Sequence, residues 1–170
     1  LDEELFRLVN DLGPGPEALW TLLDPHTRNY VALIALGGTI ALVSRPPRVL
    51  LVLAQTLASA LLAWGLLEAV YALYDRPRPE EVLAPSEISL NGHSWARLES
   101  FPSGHLAITT ALALALAFAF PRLRRAIWAY VLAVAFTRVL FGAHFPLDAL
   151  AGIVIGYGSA LGVHALVRQM

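Results

Sequence analysis

The sequence predicts an all-α membrane protein, a polytopic bundle of about five transmembrane helices preceded by interfacial amphipathic helices. Three observations predict this class. Of the 170 residues, 57% are hydrophobic and only 15% are charged, against about 25% charged in ordinary soluble domains. The apolar residues also fall in long blocks rather than singly. Two of these blocks reach the roughly 20 residues that span a bilayer.

Five apolar blocks define the predicted spans. They cover residues 29–43, 49–74, 106–120, 126–141 and 149–167. The second and fifth are long enough to cross a bilayer, whereas the other three need their ends to continue into the loops or the bilayer to thin. A water-soluble bundle is the alternative, but 170 residues cannot bury five helices that are apolar all round. We therefore expect one membrane domain over residues 1–170, with the bundle in 29–170.

The first 28 residues have a different pattern, which predicts two short amphipathic helices. Leu1, Leu5 and Leu8 recur at helical spacing, and the Gly-Pro-Gly of residues 13–15 ends the first helix. The second helix, over residues 16–24, has leucine and tryptophan on one side. Such helices lie in the membrane interface with the apolar side inward. Packing of this segment on the bundle is the alternative, and the two arrangements are compatible.

The distribution of arginine predicts the orientation in the membrane. The chain has 12 basic residues, all arginine, and no cysteine. Residues 44–48, 121–125 and 168–170 together carry six arginines and no acidic residue. Short arginine-rich loops mark the cytoplasmic side, so the N-terminus and residues 75–105 and 142–148 are expected outside. The net charge of −1 argues against nucleic acid as a partner.

Three segments on that outer side carry most of the chemistry. The first, Asp75-Arg76-Pro77-Arg78-Pro79, ends the second span. The second, Phe101-Pro102-Ser103-Gly104-His105, opens the third span; its proline suits a first helical turn, and the helix N-terminus can bind an anion. The third, residues 138–148, places His144 four residues before Asp148. A carboxylate at this spacing can accept an imidazole N–H and raise the basicity of the other ring nitrogen.

Five ionisable residues are expected to gather at one depth of the membrane. They are Arg78, Arg138, His105, His144 and Asp148. Ionisable groups at such positions are costly and usually functional. Two arginines and a helix N-terminus suit a phosphate, and two histidines, one backed by a carboxylate, suit a nucleophile and a general acid. With no clear metal-ligand spacing, the residues predict phosphoryl transfer through a phosphohistidine without metal or cofactor.

The motifs in these segments resemble those of the type 2 phosphatidic acid phosphatase family, which also contains the vanadium haloperoxidases. That family carries Lys-x6-Arg-Pro, then Pro-Ser-Gly-His, then Ser-Arg-x5-His-x3-Asp. Here the second motif is complete at residues 102–105, and the third is present with Thr137 in the serine position. The N-terminal stretch LDEELFRLVNDL also resembles the bacterial undecaprenyl-diphosphate phosphatases. The resemblance covers essentially the whole chain.

The resemblance implies a role for each matching residue. His144 attacks phosphorus, Asp148 orients His144, and His105 protonates the departing lipid oxygen and then activates water. The groups implied to hold the phosphate oxygens are Arg78, Arg138, Ser103 and the N–H of Gly104. Fixed donors of this kind matter because phosphoryl transfer depends mainly on positioning and charge stabilisation.

The first motif departs from the family pattern. Arg78 matches, but Tyr71 stands in the lysine position and can donate only one hydrogen bond without charge. Arg76 is a candidate replacement cation, and Glu68, one turn before Tyr71, is a further candidate for the pocket. Loss of one cationic donor can cost about 10²–10³ in rate. The alternatives are therefore a slow enzyme, a different donor, different contacts from the substrate, or an inactive lipid-phosphate-binding protein.

The expected partners are the bilayer and a lipid phosphate whose head group reaches the extracytoplasmic surface. The resemblance implies hydrolysis of polyprenyl (undecaprenyl) diphosphate to the monophosphate, for carrier recycling in cell-wall synthesis at the bacterial cytoplasmic membrane. Phosphatidic acid, phosphatidylglycerol phosphate and lipid A phosphates are alternative substrates. A vanadate-dependent oxidase is a further alternative. The sequence makes no prediction of oligomeric state.

Overall fold

The structure, a computed structural model, describes residues 1–13, 46–84, 86–88 and 99–169. These residues form helices and no strand, which confirms the all-α prediction for this part of the chain. The predicted span at 29–43 and the predicted helix at 16–24 lie outside the described residues.

The four long helices agree with the second to fifth predicted spans to within three residues at each end. In chain order the described helices are α1 (Asp2–Asn10), α2 (Pro46–Tyr71), α3 (Pro79–Val82), α4 (Gly104–Ala119), a 3-10 turn (Pro121–Leu123), α5 (Arg124–Leu140) and α6 (Pro146–Gln169). Prolines lie at the first positions of α3 and α6, where the missing N–H costs no hydrogen bond.

Two of these helices are long and apolar enough to cross a membrane. They are the Leu50–Tyr71 part of α2 and the whole of α6. Only 28% and 22% of their most apolar stretches are buried, so most of their apolar surface faces outward, as it does in lipid rather than in water. α4 is also apolar, but its 16 residues rise only about 24 Å.

α4 is the central helix, in contact with α2, α5 and α6. Its approach to α6 depends on two glycines at four-residue spacing. A Cβ added at Gly152 would lie 2.5 Å from the carbonyl oxygen of Ser103, and one at Gly156 would lie 2.3 Å from that of Ala107. Small residues at this spacing let membrane helices touch through their backbones. The contact holds the start of α4 against the first turns of α6.

α1 packs on the same end of the bundle. Phe6 and Asn10 are fully buried. The Phe6 ring lies 5.3 Å from that of Phe145, and Asn10 Nδ2 donates to the carbonyl oxygen of the last residue of α5 at 2.9 Å. This is the packed arrangement of the N-terminal segment. Leu5 and Leu8 stay exposed, so the side of α1 that faces away from the bundle can still lie in the membrane interface.

Candidate active site

The three motif segments meet at one end of the bundle, where α2 and α5 end and α4 and α6 begin. Tyr71 donates its hydroxyl hydrogen to the carbonyl oxygen of Pro102 at 2.9 Å. The backbone N–H of Ser103 donates to the carbonyl oxygen of Asp148 at 2.9 Å. Arg78 Nη1 donates to the carbonyl oxygen of Ala143 at 2.8 Å. Each segment is therefore bonded to at least one other.

The loop after α5 folds back on the helix end and presents His144. Gly142 has a φ of 71°, a left-handed conformation that favours glycine just after a helix. The backbone N–H groups of Ala143 and His144 both donate to the carbonyl oxygen of Arg138, at 3.1 and 3.3 Å. His144 is consequently held beside the last turn of α5 and its buried arginine.

The hydrogen bond of His144 determines which ring nitrogen can react. Nδ1 lies 2.8 Å from the carbonyl oxygen of Ser100. A carbonyl oxygen can only accept, so Nδ1 carries the proton and Nε2 carries the lone pair. The residue is 5% exposed. This is the tautomer that a nucleophile attacking through Nε2 requires.

The surroundings of His144 keep the ring neutral. Burial is the largest cause of a pKa well below the usual value, and the positive charges of Arg78, Arg138 and His105 lower it further. The hydrogen bond to Ser100 opposes them. Arg78, Arg138 and His105 therefore all act electrostatically on the His144 ring.

This lowered pKa predicts how stability depends on pH. The unfolded chain protonates His144 near pH 6.5, whereas the folded protein resists protonation to lower pH. Below about pH 6.5 the unfolded state holds more protons, so stability falls by up to about 1.4 kcal/mol per pH unit. We expect the melting temperature of the wild type to fall relative to that of His144→Gln between pH 7.5 and 5. Parallel curves for the two proteins would contradict the assignment.

Asp148 does not bond directly to His144, contrary to the sequence expectation. Its Oδ2 lies 4.0 Å from His144 Nδ1, too far for a hydrogen bond. The same oxygen accepts the Ser100 hydroxyl at 2.5 Å and the Phe145 N–H at 2.9 Å. Asp148 lies in the first turn of α6, and its carboxylate is turned toward those donors. The connection to His144 runs through Ser100.

Arg76 lies between two carboxylates. Its Nη1 donates to Asp148 Oδ1 and its Nη2 to Asp2 Oδ2, both at 2.6 Å. Burial lowers the pKa of Arg76, but the bonds to Asp2 and Asp148 outweigh this and raise it. The interpretation of Arg76 as the replacement cation for phosphate does not agree with this placement.

The two other arginines of the proposed site are more deeply buried than Arg76, whose side chain is 21% exposed. Arg78 is 7% exposed and Arg138 is 1% exposed. Burial lowers the pKa of Arg78, opposed by the charges of Glu80, Tyr71 and Asp148. A guanidinium taken out of water beside a neutral histidine is a strong partner for a phosphate oxygen.

The sequence predicted that Pro102 lies in the first turn of the third span, but α4 begins two residues later. The helix begins at Gly104 with Ser103 as its N-cap, so Pro102 precedes the helix rather than lying in its first turn. The Ser103 hydroxyl is fully buried and has no hydrogen-bond partner within the described ranges. A helix N-terminus with a buried hydroxyl beside it can bind an anionic oxygen. His105 follows in the same turn and is half-buried.

Tyr71 lies directly beside Gly104. A Cβ added at Gly104 would lie 2.9 Å from the Tyr71 hydroxyl oxygen, so a larger residue at 104 would collide with it. Glu68 lies one turn earlier on α2 and is half-buried. Within the described part of the chain, no group of three or more His, Asp or Glu side chains is arranged to hold a metal ion.

Two residues of the hydrogen-bond network that joins Asp148 to His144 and to Arg76 were not predicted. Ser100 connects Asp148 to His144, and the only signal for it is a short polar residue just before the Pro-Ser-Gly-His motif. Asp2 reaches Arg76 from α1. No sequence pattern could have distinguished Asp2 from the neighbouring acids Glu3 and Glu4, because the contact depends on how α1 docks.

Comparison with known proteins supports a relationship over most of the chain. A sequence profile of the PAP2 superfamily matches residues 49–169. Lipid A 1-phosphatases of Rhizobium etli and Rhizobium johnstonii are 46% identical over 66 residues, which is 39% of this chain. The matched stretch spans only 28% and 26% of those relatives. Bacitracin transport permease protein BcrC of Bacillus licheniformis is 27% identical over 162 residues, 95% of this chain and 78% of that protein.

Among solved structures, the crystal structure of Aquifex aeolicus LpxE matches with a TM-score of 0.68 and 22% identity. The match covers 95% of this chain and 93% of that chain, so the two share a fold. The profile match covers well over half of the chain and includes all three motif segments. On this evidence, the chain belongs to the PAP2 superfamily.

Proposed function

We propose that the protein is an integral-membrane lipid phosphatase that forms a phosphohistidine at His144. The observation that carries this proposal is the buried hydrogen bond from His144 Nδ1 to the carbonyl oxygen of Ser100, which leaves Nε2 to react. Arg78 bonds to the neighbouring Ala143 carbonyl oxygen, and the His144 N–H bonds to the carbonyl oxygen of Arg138. Membership of the PAP2 superfamily and the relatives named Lipid A 1-phosphatase support the class of reaction.

The reaction takes two steps. In the first, Nε2 of His144 attacks phosphorus while the bond from phosphorus to the lipid oxygen breaks, and His105 donates a proton to that oxygen. In the second, His105 takes a proton from water, the water oxygen attacks phosphorus, and the bond from phosphorus to Nε2 breaks. Inorganic phosphate leaves and His144 returns to its starting state.

Fixed positive charge stabilises the phosphoryl group in both steps. The charges of Arg78 and Arg138 act on His144, and the N-terminus of α4 supplies backbone N–H groups and the Ser103 hydroxyl. These donors are held by the fold before substrate arrives, so they need little rearrangement when charge develops.

Polyprenyl diphosphate is the substrate that we propose first, hydrolysed to the monophosphate at the extracytoplasmic face of the bacterial cytoplasmic membrane. Support comes from the N-terminal resemblance to undecaprenyl-diphosphate phosphatases and from the arginine-rich loops at the opposite end of the bundle. Lipid A phosphate is the second candidate, favoured by the 46% identity to Lipid A 1-phosphatases. Five spans over residues 29–170 remain part of this proposal.

A panel of lipid phosphates tests the proposal. Detergent-solubilised protein is incubated with polyprenyl diphosphate, lipid A, phosphatidic acid and phosphatidylglycerol phosphate, with and without chelator, and phosphate release is measured. We expect release that resists chelator and is fastest with polyprenyl diphosphate. Faster release from lipid A would select the second candidate. Tight binding without release from any of the four would show an inactive lipid-phosphate-binding protein.

The Tyr71→Lys variant tests whether a cation in the lysine position of the family motif increases turnover. The new ammonium would lie beside Gly104, where the Tyr71 hydroxyl now lies, and would add a positive charge near the bound phosphate. We expect turnover to rise about tenfold, part of the roughly 10²–10³ that a single donor is worth. Tyr71→Phe is the matched control; it removes the bond to Pro102 and should lower turnover. No gain from lysine would show that another group already does its work.

A further inference from the structure

Asp2 joins α1 to the first turn of α6. Its Oδ2 accepts from Arg76 Nη2 at 2.6 Å, and its Oδ1 accepts the backbone N–H of Leu147 at 2.9 Å. The side chain is only 14% exposed, although it belongs to the first turn of the first described helix. Its position is determined by the burial of Phe6 and Asn10, which anchor α1 on the bundle.

Arg76 carries the contact from Asp2 to Asp148. One guanidinium edge faces each carboxylate at 2.6 Å, and the group lies 4.4 Å from the centre of the Phe145 ring. Asp148 is fully buried, and a buried carboxylate is stable as an ion only with a paired charge and hydrogen bonds. Arg76 supplies that charge, and Asp2 holds Arg76 in place from the other side.

Ser100 carries the contact from Asp148 to His144. Its hydroxyl donates to Asp148 Oδ2 at 2.5 Å, and its carbonyl oxygen accepts His144 Nδ1–H at 2.8 Å. Its own N–H donates to the carbonyl oxygen of Arg76 at 2.8 Å. Arg76 thus restrains Ser100 through its backbone and Asp148 through its side chain.

We propose that Asp2 is a positioning residue for the histidine nucleophile, acting through Arg76, Asp148 and Ser100 to hold the Ser100 carbonyl oxygen on His144 Nδ1. The N-terminal helix is then part of the active-site support rather than a membrane anchor alone. The inference rests on the proposed function, because it assigns Asp2 to the same reaction at His144.

Loss of the Asp2 charge should lower kcat and leave KM nearly unchanged. In Asp2→Asn, Asp148 is the one charged carboxylate that still bonds to Arg76. The guanidinium is then free to shift toward Asp148, because the attraction of Asp2 on its other side is lost. The Ser100 carbonyl then holds the imidazole less firmly. We expect kcat to fall about tenfold, the lower end of what loss of a supporting hydrogen-bond partner costs at metal sites. KM should change less than twofold, because Asp2 does not bond to the residues proposed to hold phosphate.

The kinetic test uses Asp2→Asn, Asp2→Glu and the matched control Glu3→Gln, with polyprenyl diphosphate in detergent micelles. Glu3 is exposed on the same helix, so Glu3→Gln should keep the wild-type kcat. Asp2→Glu keeps the charge and should recover part of the loss. A kcat for Asp2→Asn within twofold of the wild type would overturn the proposal, as would equal losses in Asp2→Asn and Asp2→Glu.

The tautomer of His144 gives a second readout that does not require turnover. The protein is labelled with ¹⁵N-histidine, and the His144 signals are identified by their loss in His144→Gln. In Asp2→Asn the ¹⁵N chemical shifts of the two His144 ring nitrogens should move toward the average of both tautomers. Unchanged chemical shifts would overturn the proposal. If the wild type releases no phosphate from any lipid, the proposed function fails while the nitrogen shifts still decide the role of Asp2.

Discussion

Replacing His144 by alanine is expected to abolish phosphate release, with a loss of at least about 10³-fold in kcat. His144 is buried, its Nδ1–H is held by the carbonyl oxygen of Ser100, and its Nε2 carries the lone pair that the proposed attack on phosphorus needs. The phosphoenzyme should disappear with turnover, because the bond from phosphorus to nitrogen cannot form. Acid-labile labelling with ³²P-labelled substrate, followed by gel analysis, measures this directly.

His105→Ala separates the nucleophile from the general acid. It keeps Nε2 of His144, so a substrate with a good leaving group should still label the protein, while release of the label by water becomes slow. Label that accumulates in His105→Ala and is absent in His144→Ala would support the assigned roles. Labelling of His144→Ala at the wild-type level would show that another residue attacks phosphorus.

Gly156→Leu is expected to disrupt the packing of α6 on α4. Even a Cβ at this position would lie 2.3 Å from the carbonyl oxygen of Ala107, 2.7 Å from Thr110 Cβ and 2.9 Å from the N–H nitrogen of Ala111. Two of these are backbone atoms in the middle of the central helix, so relief requires the helices to separate. Overpacking costs typically about 1–3 kcal/mol and occasionally more, and leucine belongs at the severe end.

The measurement is the melting temperature in detergent, together with phosphate release. Gly162→Leu is the matched control, because a Cβ at Gly162 meets no atom within 4 Å and the new side chain points outward from the same helix. We expect Gly156→Leu to melt well below the wild type with little activity and Gly162→Leu to behave like the wild type. Equal melting temperatures for the two variants would show that α4 and α6 do not touch through this glycine.

Much of the architecture could be read from local sequence. Long apolar blocks favour helices, and the predicted spans at 106–120 and 126–141 correspond to α4 and α5 to within two residues at each end. The motif residues can also be picked out as candidates, since Arg78, Arg138, His105 and His144 carry charge or proton-transfer capacity in apolar surroundings, where such groups have a high cost. Gly142 after α5 is likewise a local signal for a left-handed turn.

The hydrogen-bond partners of those residues could not be predicted from local sequence. The direct bond between Asp148 and His144 was a reasonable expectation from their spacing, yet Ser100, 44 residues before His144, takes the ring N–H. Arg76 was a candidate for binding phosphate because it lies five residues after Tyr71, which stands in the lysine position of the family motif. Its guanidinium instead donates hydrogen bonds to Asp2 and Asp148. Both differences arise from segments far apart in the chain.

Local sequence is enough to predict which stretches are helical and apolar and which side chains are candidates for the chemistry, because helix formation and the cost of burying charge depend on residue type and near neighbours. Which donor meets which acceptor depends instead on how distant segments pack. Hydrogen bonds act over about 3 Å, and at that scale the docking of α1 and the close approach of α4 to α6, rather than sequence spacing, determine what touches His144.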